Sequence, residues 1–316
     1  MAKTSKKKIC IYVILALAVI VGVLIGGAVY LLSYSLTPSD RDAKMENTIS
    51  WLKETYPGTL EWMDSMKREG ALRDTFIINE KGKRLHAYYA SCDSAQGTVV
   101  LAHGYTDEAL RMMMLGKLYH DSLRFNILVP DHEYHGKSEG DAIQMGWHDR
   151  LNLERWIGIS DSLWQGKDTY LHGISMGGAT VMMCSGDELP SSVKGIIDDC
   201  GFTSVWDEFA GEIKNQFGLP VHPLMDIASM MCQWRYGWNF KEASAIDQVR
   251  KSTLPMLFIH GDADTFVPTS MVYELYDAKQ KGYKSLWIAK GTAHALAYHD
   301  YPAEYLEQLR QFINRK

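Results

Sequence analysis

The feature that most constrains the fold is a series of short apolar runs that alternate with segments of helix length. The runs are TVVLA (98–102), NILVP (126–130), TYLHG (169–173), VKGIID (193–198), MLFIH (256–260) and SLWIA (285–289). Near-continuous apolar strands separated by helices are typical of a mostly parallel sheet covered by helices on both faces. TFIIN and RLHAYYA, on either side of Glu80-Lys81-Gly82, predict a hairpin at one edge. We therefore predict an α/β fold with an eight-stranded, mostly parallel sheet.

The composition indicates one large globular domain with appendages. The 316 residues are 46% hydrophobic and 22% charged, which is enough apolar material for a large core. The formal net charge of −5 gives no reason to expect a nucleic acid as a partner. The five cysteines show no paired spacing such as C-x-x-C, so metal or redox use is not indicated, and Cys184 and Cys200 are expected to be buried. The sequence leaves open whether two of the cysteines form a disulfide.

The N-terminus carries an uncharged apolar block at residues 9–32, long enough to cross a bilayer as a helix. A cleaved signal peptide is the alternative, but its apolar core normally spans about 7–15 residues. Lys6, Lys7 and Lys8 precede the block, which predicts a cytoplasmic N-terminus and an extracytoplasmic body in the cell membrane.

These patterns divide the chain into four parts. Residues 1–8 form a basic tail, 9–32 a transmembrane anchor, 33–70 a helical connector and 71–316 the main domain. Tyr56-Pro57-Gly58 predicts a break within the connector.

Candidate catalytic residues follow the predicted strands, where ligand sites form in such sheets. GISMGG begins at Gly173, at the end of the run at 169–173 and before a helical segment. A G-x-S-x-G sequence at a strand-to-helix junction makes a tight turn that exposes the serine hydroxyl. Ser175 is therefore a candidate nucleophile, although a packing turn made of small residues is the alternative.

The acid of a catalytic triad could come from HGDADTFVP (260–268), which begins at the end of the run at 256–260. Asp264 is favoured because it lies far enough along the loop to extend towards the histidine, immediately before Thr265-Phe266-Val267-Pro268. Asp262 is expected to fix the turn, and Asp198 and Asp199, after the preceding strand, are the other candidates.

A histidine is needed after the last strand if the chain order is serine, acid, histidine. Only His294 and His299 qualify. His294 lies in a loop directly beyond the strand, whereas His299 lies close to the next helix start, so we favour His294 as the base.

An acyl-transfer enzyme also needs backbone N–H groups that stabilise the oxyanion. The residue after the serine and the loop AHGYTDEA after the run at 98–102 would supply them, which selects Met176 and Tyr105. His103 in that loop is expected to be structural.

These pieces resemble the α/β-hydrolases, in particular bacterial esterases, lysophospholipase-like enzymes and serine aminopeptidase-like hydrolases. The similar segments are LAHGYT (101–106), VPDHEYHGKSEG (129–140), LHGISMGGAT (171–180), IIDDCGFTS (196–204), LFIHGDADTFVP (257–268) and GTAHALAY (291–298). The resemblance implies Ser175 as nucleophile, His294 as base, Asp264 as its acid partner, and no metal or organic cofactor. Ile174 departs from the pattern, since many members carry histidine there; we expect it to pack beneath the turn.

Three neighbouring side chains could be metal ligands: His132, Glu133 and His135. They lack the H-E-x-x-H spacing that places two histidines on one helical face, and no third ligand is apparent, so we predict no metal site.

An insertion at about 203–250 is rich in large apolar residues and is expected to form a small helical lid over the serine. Phe202, Trp206 and Phe209, with Trp147 and His148 from the other side, are candidate pocket residues for an apolar substrate group.

The sequence thus predicts a membrane-anchored serine hydrolase that cleaves a small-molecule ester, as a carboxylesterase or lipase does. A peptidase that acts on short peptides is the alternative within the class. A non-catalytic hydrolase-fold binding protein is the alternative from another class.

Overall fold

The computed structural model describes residues 2–38 and 41–315, and within them the side chains of all but residues 2–7, 41 and 42. The predicted basic tail at residues 1–8 therefore lies, except for Lys8, outside the described side chains. The remainder of the chain builds one sheet with helices on both faces.

The sheet contains eight strands in the order β1-β2-β4-β3-β5-β6-β7-β8. Their bounds are β1 Leu72–Ile78, β2 Arg84–Ala90, β3 Gly97–Ala102, β4 Phe125–Pro130, β5 Thr169–Ile174, β6 Val193–Asp199, β7 Met256–Gly261 and β8 Lys284–Ala289. β2 pairs antiparallel with both β1 and β4, and the pairs from β4 to β8 are parallel. The predicted sheet and its antiparallel edge are confirmed.

Helices connect and flank these strands. Their bounds are α1 Ala2–Leu36, α2 Arg41–Thr55, α3 Thr59–Arg68, α4 Met113–Lys117, α5 Asp149–Trp164, α6 Met176–Cys184, α7 Val205–Phe217, α8 Leu224–Tyr236, α9 Ala245–Lys251, α10 Ser270–Ala278, α11 Ala297–Asp300 and α12 Pro302–Ile313. A π-helical turn, Leu118–Ser122, continues α4.

The central strands are buried from end to end, as their continuous apolar sequences predict. Every residue of β3, β4, β5 and β7 is buried, whereas β8 at the edge is only half-buried. Two apolar clusters fill the two faces. The carboxyl ends of the parallel strands consequently meet along one edge, which brings together the loops after β3, β5, β7 and β8.

The predicted connector contains two helices, α2 and α3, separated at Tyr56-Pro57-Gly58. Gly58 has a φ of 86°, a left-handed conformation that favours glycine at the break. Leu52, Met63 and Met66 are buried in the cluster on one face of the sheet, so these helices belong to the packed body.

The apolar helix α1 extends past the predicted span and packs on the body. Its carboxyl-terminal part buries Ala28, Leu32 and Leu36, which follow the four-residue spacing of one helix face. Ile143 donates its backbone N–H to the carbonyl of Leu36 at 2.8 Å. The predicted boundary at residue 33 therefore falls inside a continuous helix.

Candidate active site

Ser175 lies in the turn between β5 and α6, in a backbone conformation that residues other than glycine rarely adopt. Its φ is 58° and its ψ is −120°, a strained combination for a residue with a Cβ. The flanking glycines make the turn possible: a Cβ on Gly173 would collide with the carbonyl oxygen of Gly177, and one on Gly177 would collide with that of Ala102. The turn thus holds the serine hydroxyl beyond the end of β5.

The imidazole of His294 lies between Ser175 and Asp264. Its Nε2 is 2.9 Å from Ser175 Oγ, and its Nδ1 is 2.6 Å from Asp264 Oδ2. Nδ1 therefore donates to the carboxylate, which leaves Nε2 free to accept from the serine hydroxyl. The three side chains have the contacts that a serine nucleophile, its base and an orienting acid require.

Asp264 is held as an ionised carboxylate in a dry environment. Burial alone would raise the pKa of Asp264, but hydrogen bonds from His260 and His294 outweigh it and lower the pKa to about 2. The second oxygen, Oδ1, accepts the backbone N–H groups of Phe266 and Val267 at 2.9 and 3.0 Å. A carboxylate with so many donors keeps a fixed position and a full charge.

His260 is a residue of this site that the sequence did not single out. It is fully buried at the end of β7, and its Nε2 is 3.2 Å from Asp264 Oδ2 and 3.0 Å from the carbonyl of Val267. Nitrogen atoms of two histidines, His260 and His294, thus lie close to Asp264 Oδ2. The sequence signal was present, since His260 and Asp264 are four residues apart within the segment HGDADTFVP.

The other candidate acids have different partners. Asp262 accepts the backbone N–H of Gly291 and so ties the loop of His294 to the end of β7. Burial raises the pKa of Asp198 to about 7 and that of Asp199 to about 6. Asp199 accepts a hydrogen bond from Tyr305 at 2.8 Å, and Asp198 accepts the backbone N–H of Gly201 at 3.0 Å.

His299 lies away from the serine. It is an exposed residue of α11, and its Nδ1 is 2.8 Å from the carboxylate of its neighbour Asp300. Its ring also packs edge-on against Tyr56, with centroids 6.1 Å apart. These contacts are those of a surface residue at a helix.

The predicted oxyanion donors both border the serine. Met176 is the first residue of α6, so its N–H has no acceptor one turn earlier within the helix. The loop that carries Tyr105 passes close by, because a Cβ on Gly104 would lie 3.5 Å from Ser175 Cβ. The Tyr105 side chain donates its hydroxyl to the carbonyl of Ser35 at 2.9 Å.

A cavity of about 650 Å³ opens at Ser175 and His294. Phe202 and Phe209, two of the predicted pocket residues, line it, as does Ile174, for which a position beneath the turn is expected. Its walls are formed largely by apolar side chains of α1, α7 and α8: Leu31, Leu32, Ile213, Phe217, Met225 and Ala228. A cavity of this size and lining suits an apolar group of a small-molecule ligand.

The other predicted pocket residues lie outside the cavity wall. Trp147 donates its indole N–H to Glu242 at 2.9 Å and is covered by the guanidinium of Arg150. Trp206 packs against His222, and the half-buried His148 lies near Gly237. Trp147 and Trp206 make packing contacts, which sequence alone does not distinguish from substrate contact.

The cavity is also lined by ionisable residues that the sequence interpretation missed. Glu208 and Glu212, one turn apart on α7, line it, and burial followed by the charge of Glu212 raises the pKa of Glu208 to about 8. Asp107 and Arg111 line it too, joined by an ion pair of 3.2 Å.

Among the described residues, one group has ligand atoms close enough together to hold a metal, and a separate cluster consists of buried histidine rings. Ligand atoms of Cys200, Asp264 and His294 lie within 4.8 Å of one another, but burial raises the pKa of the Cys200 thiol well above its usual range, so it stays protonated. The rings of His132 and His135 pack against that of His103, and burial lowers the pKa of each. His103 accepts the backbone N–H of His132 at 2.9 Å, the structural role expected for it.

Known proteins of similar sequence include an uncharacterized bacterial protein and an α/β hydrolase domain-containing protein. The protein YqkD of Bacillus subtilis is 28% identical over 248 residues, which cover 77% of this chain and 79% of YqkD. The α/β hydrolase domain-containing protein 17C of Mus musculus is 22% identical over 257 residues, 81% of this chain and 72% of that protein.

Solved structures share the fold at low sequence identity. The esterase Pf2001 of Pyrococcus furiosus matches with a TM-score of 0.64 and 20% identity, over 79% of this chain and 95% of the esterase. Est1E of Butyrivibrio proteoclasticus, solved with ferulic acid, matches with a TM-score of 0.58 and 19% identity, over 76% of this chain and 100% of Est1E. The predicted α/β-hydrolase fold is confirmed.

The model of the prolyl oligopeptidase family matches residues 131–316, more than half of the chain. This segment contains the turn of Ser175, the loop of Asp264 and the loop of His294. The protein is therefore an α/β-hydrolase and belongs to the prolyl oligopeptidase family.

Proposed function

We propose that this protein is a membrane-anchored serine hydrolase that cleaves carboxylic esters. The observation that carries the proposal is the pair of contacts made by His294, 2.9 Å to Ser175 and 2.6 Å to Asp264. An imidazole placed between a strained serine and a buried, ionised carboxylate is the arrangement that activates a serine for acyl transfer.

The reaction would proceed through an acyl-enzyme. His294 Nε2 takes the proton of Ser175 as Oγ attacks the ester carbonyl, and the backbone N–H groups of Tyr105 and Met176 stabilise the oxyanion. His294 then protonates the leaving alcohol. A water molecule, activated by the same imidazole, releases the acid and restores the serine. Asp264 holds the imidazole in the required tautomer throughout.

Labelling by a fluorophosphonate probe tests the nucleophile. The full chain should be labelled, Ser175→Ala should not be, and Ser185→Ala, which changes a serine at the far end of α6, should be labelled like the parent. Equal labelling of Ser175→Ala and the parent would exclude Ser175 as the nucleophile. An absence of labelling in all three proteins would favour a hydrolase-fold binding protein.

The anchor is proposed from α1. Residues 8–36 form a helix with a mean hydropathy of 3.0 in its most apolar window, long enough to span a bilayer. A signal sequence can also be an apolar N-terminal helix. Cleavage within α1 would, however, remove Leu31 and Leu32 from the cavity wall and Leu36 from the core, which favours an uncleaved anchor.

The lysines before the span support a cytoplasmic N-terminus and an extracytoplasmic domain. An impermeant protease added to intact cells should degrade the catalytic domain, and the mature protein should have the mass of the full chain. A smaller mass that lacks α1 would establish cleavage instead.

A peptidase that acts on a free amino terminus is the second candidate. Glu208 and Glu212 on α7 line the same cavity as Ser175 and could bind an ammonium group. The raised pKa of Glu208 means that an approaching cation would be needed to ionise it at neutral pH. This activity would be favoured if the protein hydrolysed aminoacyl p-nitroanilides in preference to p-nitrophenyl esters. Glu208→Gln should then lose that activity, whereas the control Glu274→Gln on α10 should keep it.

A further inference from the structure

The helix α1 consists of two parts with different surroundings. Residues 9–23 are exposed on every side, whereas Ala28, Leu32 and Leu36 are buried against the catalytic domain. The exposed part contains no charged residue. A bilayer would cover the exposed part, and its outer boundary must therefore lie near the point where the helix meets the domain.

The length of the helix locates that boundary. Lys8 is the last charged residue before the span, and at 1.5 Å per residue the segment 9–27 extends about 28 Å. The hydrocarbon core of a bilayer is about 30 Å thick. With Lys8 at the cytoplasmic side, Gly27 and Ala28 therefore reach the outer edge of the hydrocarbon.

The loop between α7 and α8, residues 218–223, descends beside α1 to this level. At its start, the ring of Phe217 lies 5.7 Å from that of Tyr34. At its end, Leu224 Cδ1 lies 3.2 Å from the position of a Cβ on Gly27. The chain thus moves along α1 from Tyr34 to Gly27, which is about 10 Å of helix.

The composition of this loop suits an interface with lipid. Its sequence is GLPVHP, without an acidic or a lysine or arginine side chain, and Leu219 is 41% exposed. Tyr30 and Tyr34 stack on α1 at the same height, where aromatic residues are enriched at membrane surfaces.

One mouth of the cavity, where exposed side chains line it, lies beside this loop. Tyr34 and Gln216 both line the cavity and are exposed, and the tyrosine hydroxyl lies 3.4 Å from the glutamine side chain. Leu31 and Leu32 of α1 continue the wall inward. The mouth is therefore about 10 Å above the hydrocarbon edge, next to the headgroup layer.

We infer that the loop at residues 218–223 is a membrane-contact surface and that the cavity takes its substrate, a long-chain acyl ester, from the outer leaflet. The substrate part rests on the proposed ester hydrolysis. The acyl chain leaves the bilayer along Tyr34 and Phe217, enters the apolar wall, and carries its ester group to Ser175. The catalytic step is that of the proposed function, with no additional reactant.

Quenching by lipid tests the surface without catalysis. In a Cys10→Ala background the remaining cysteines are buried. Leu219→Cys is labelled with an environment-sensitive fluorophore, and the full chain is placed in phosphatidylcholine vesicles with brominated acyl chains. The control is Tyr283→Cys, which is 48% exposed just before the edge strand β8, at the end of the parallel strands opposite Ser175. Fluorescence should be lost at position 219 and retained at 283; equal behaviour at the two positions would overturn the surface.

Hydrolysis tests the route of the substrate. Leu219→Asp should lower the turnover of a long-chain fluorogenic ester embedded in vesicles by about fivefold or more and leave soluble p-nitrophenyl acetate unchanged. Tyr283→Asp should affect neither. An equal loss on both esters, or no loss on the embedded ester, would overturn supply from the leaflet. If the parent protein hydrolyses neither ester, the proposed function fails, while the quenching result still decides the surface.

Discussion

His260 and His294 meet on one oxygen of Asp264, at 3.2 and 2.6 Å from Oδ2. His294 is partly exposed at the cavity, whereas His260 is fully buried behind the carboxylate. His294 contacts Ser175 directly, whereas His260 contacts Asp264. We therefore regard His260 as a positioning residue whose loss should change the behaviour of the carboxylate.

Replacement of His260 separates its hydrogen bond from its volume. His260→Leu removes a donor that lowers the pKa of Asp264, so the acidic limb of the kcat/KM profile should move to higher pH and kcat should fall about tenfold. His260→Gln can still donate from a side-chain nitrogen and should recover most of the activity. A pH profile of His260→Leu that matches the parent would limit His260 to packing.

The choice between the two C-terminal histidines can be measured directly. His294→Ala removes the group that contacts Ser175 and should lower kcat for p-nitrophenyl esters by about a thousandfold or more. His299→Ala removes an exposed ring and should leave kcat within about twofold. The reverse result would assign the base to His299.

Two aromatic residues of α7 form a matched pair for the pocket. Phe209 lines the cavity and Trp206 does not, although the sequence predicts both to do so. In a series of p-nitrophenyl esters, kcat/KM should rise with acyl length from acetyl upward, by up to about three- to fourfold per buried methylene. Phe209→Ala should change the preferred length, and Trp206→Ala should not; a steep fall beyond acetyl in the parent would contradict an apolar acyl site.

The buried carboxyl of Asp198 should make stability depend on pH. Burial raises its pKa to about 7, so the folded chain retains a proton that the unfolded chain loses above about pH 4. Between these values the native state binds more protons, and this group's contribution to the free energy of unfolding falls as the pH rises.

Asp198→Asn removes that titration and keeps the acceptor for the backbone N–H of Gly201. Relative to the parent, its free energy of unfolding should increase by about 1–3 kcal/mol from pH 4 to pH 7. Denaturant titrations of the full chain in detergent at both pH values measure this difference. A difference that is the same at both would show that Asp198 does not hold a proton in the native state.

The sheet and the close approach of Ser175, Asp264 and His294 were predictable because each has a local signal. The runs at 98–102 and 169–173 agree with β3 and β5 to within one residue, since fully buried strands have continuous apolar sequences. The turn of Ser175 requires glycines that the sequence shows directly. Chain order then left only two histidines for one position.

The remainder depends on where side chains point in three dimensions. Trp206 and Phe209 are both large aromatic residues of the same insertion. Their different positions on α7 place Phe209 in the cavity wall and Trp206 outside it. His260 contacts Asp264 because β7 ends where the loop folds back. The packing of Leu32 on the catalytic domain was hidden within a segment whose uniform apolarity indicated a membrane span alone.

The continuity of α1 has a consequence for selectivity. The helix runs from the apolar span to Leu36 without a hinge, and Leu36 is bound to the domain through the N–H of Ile143. In a bilayer-anchored chain, Ser175 would consequently stand at a fixed height above the lipid. Such an enzyme would select substrates by the distance between their scissile bond and the membrane surface, in addition to the shape of the group that enters the cavity.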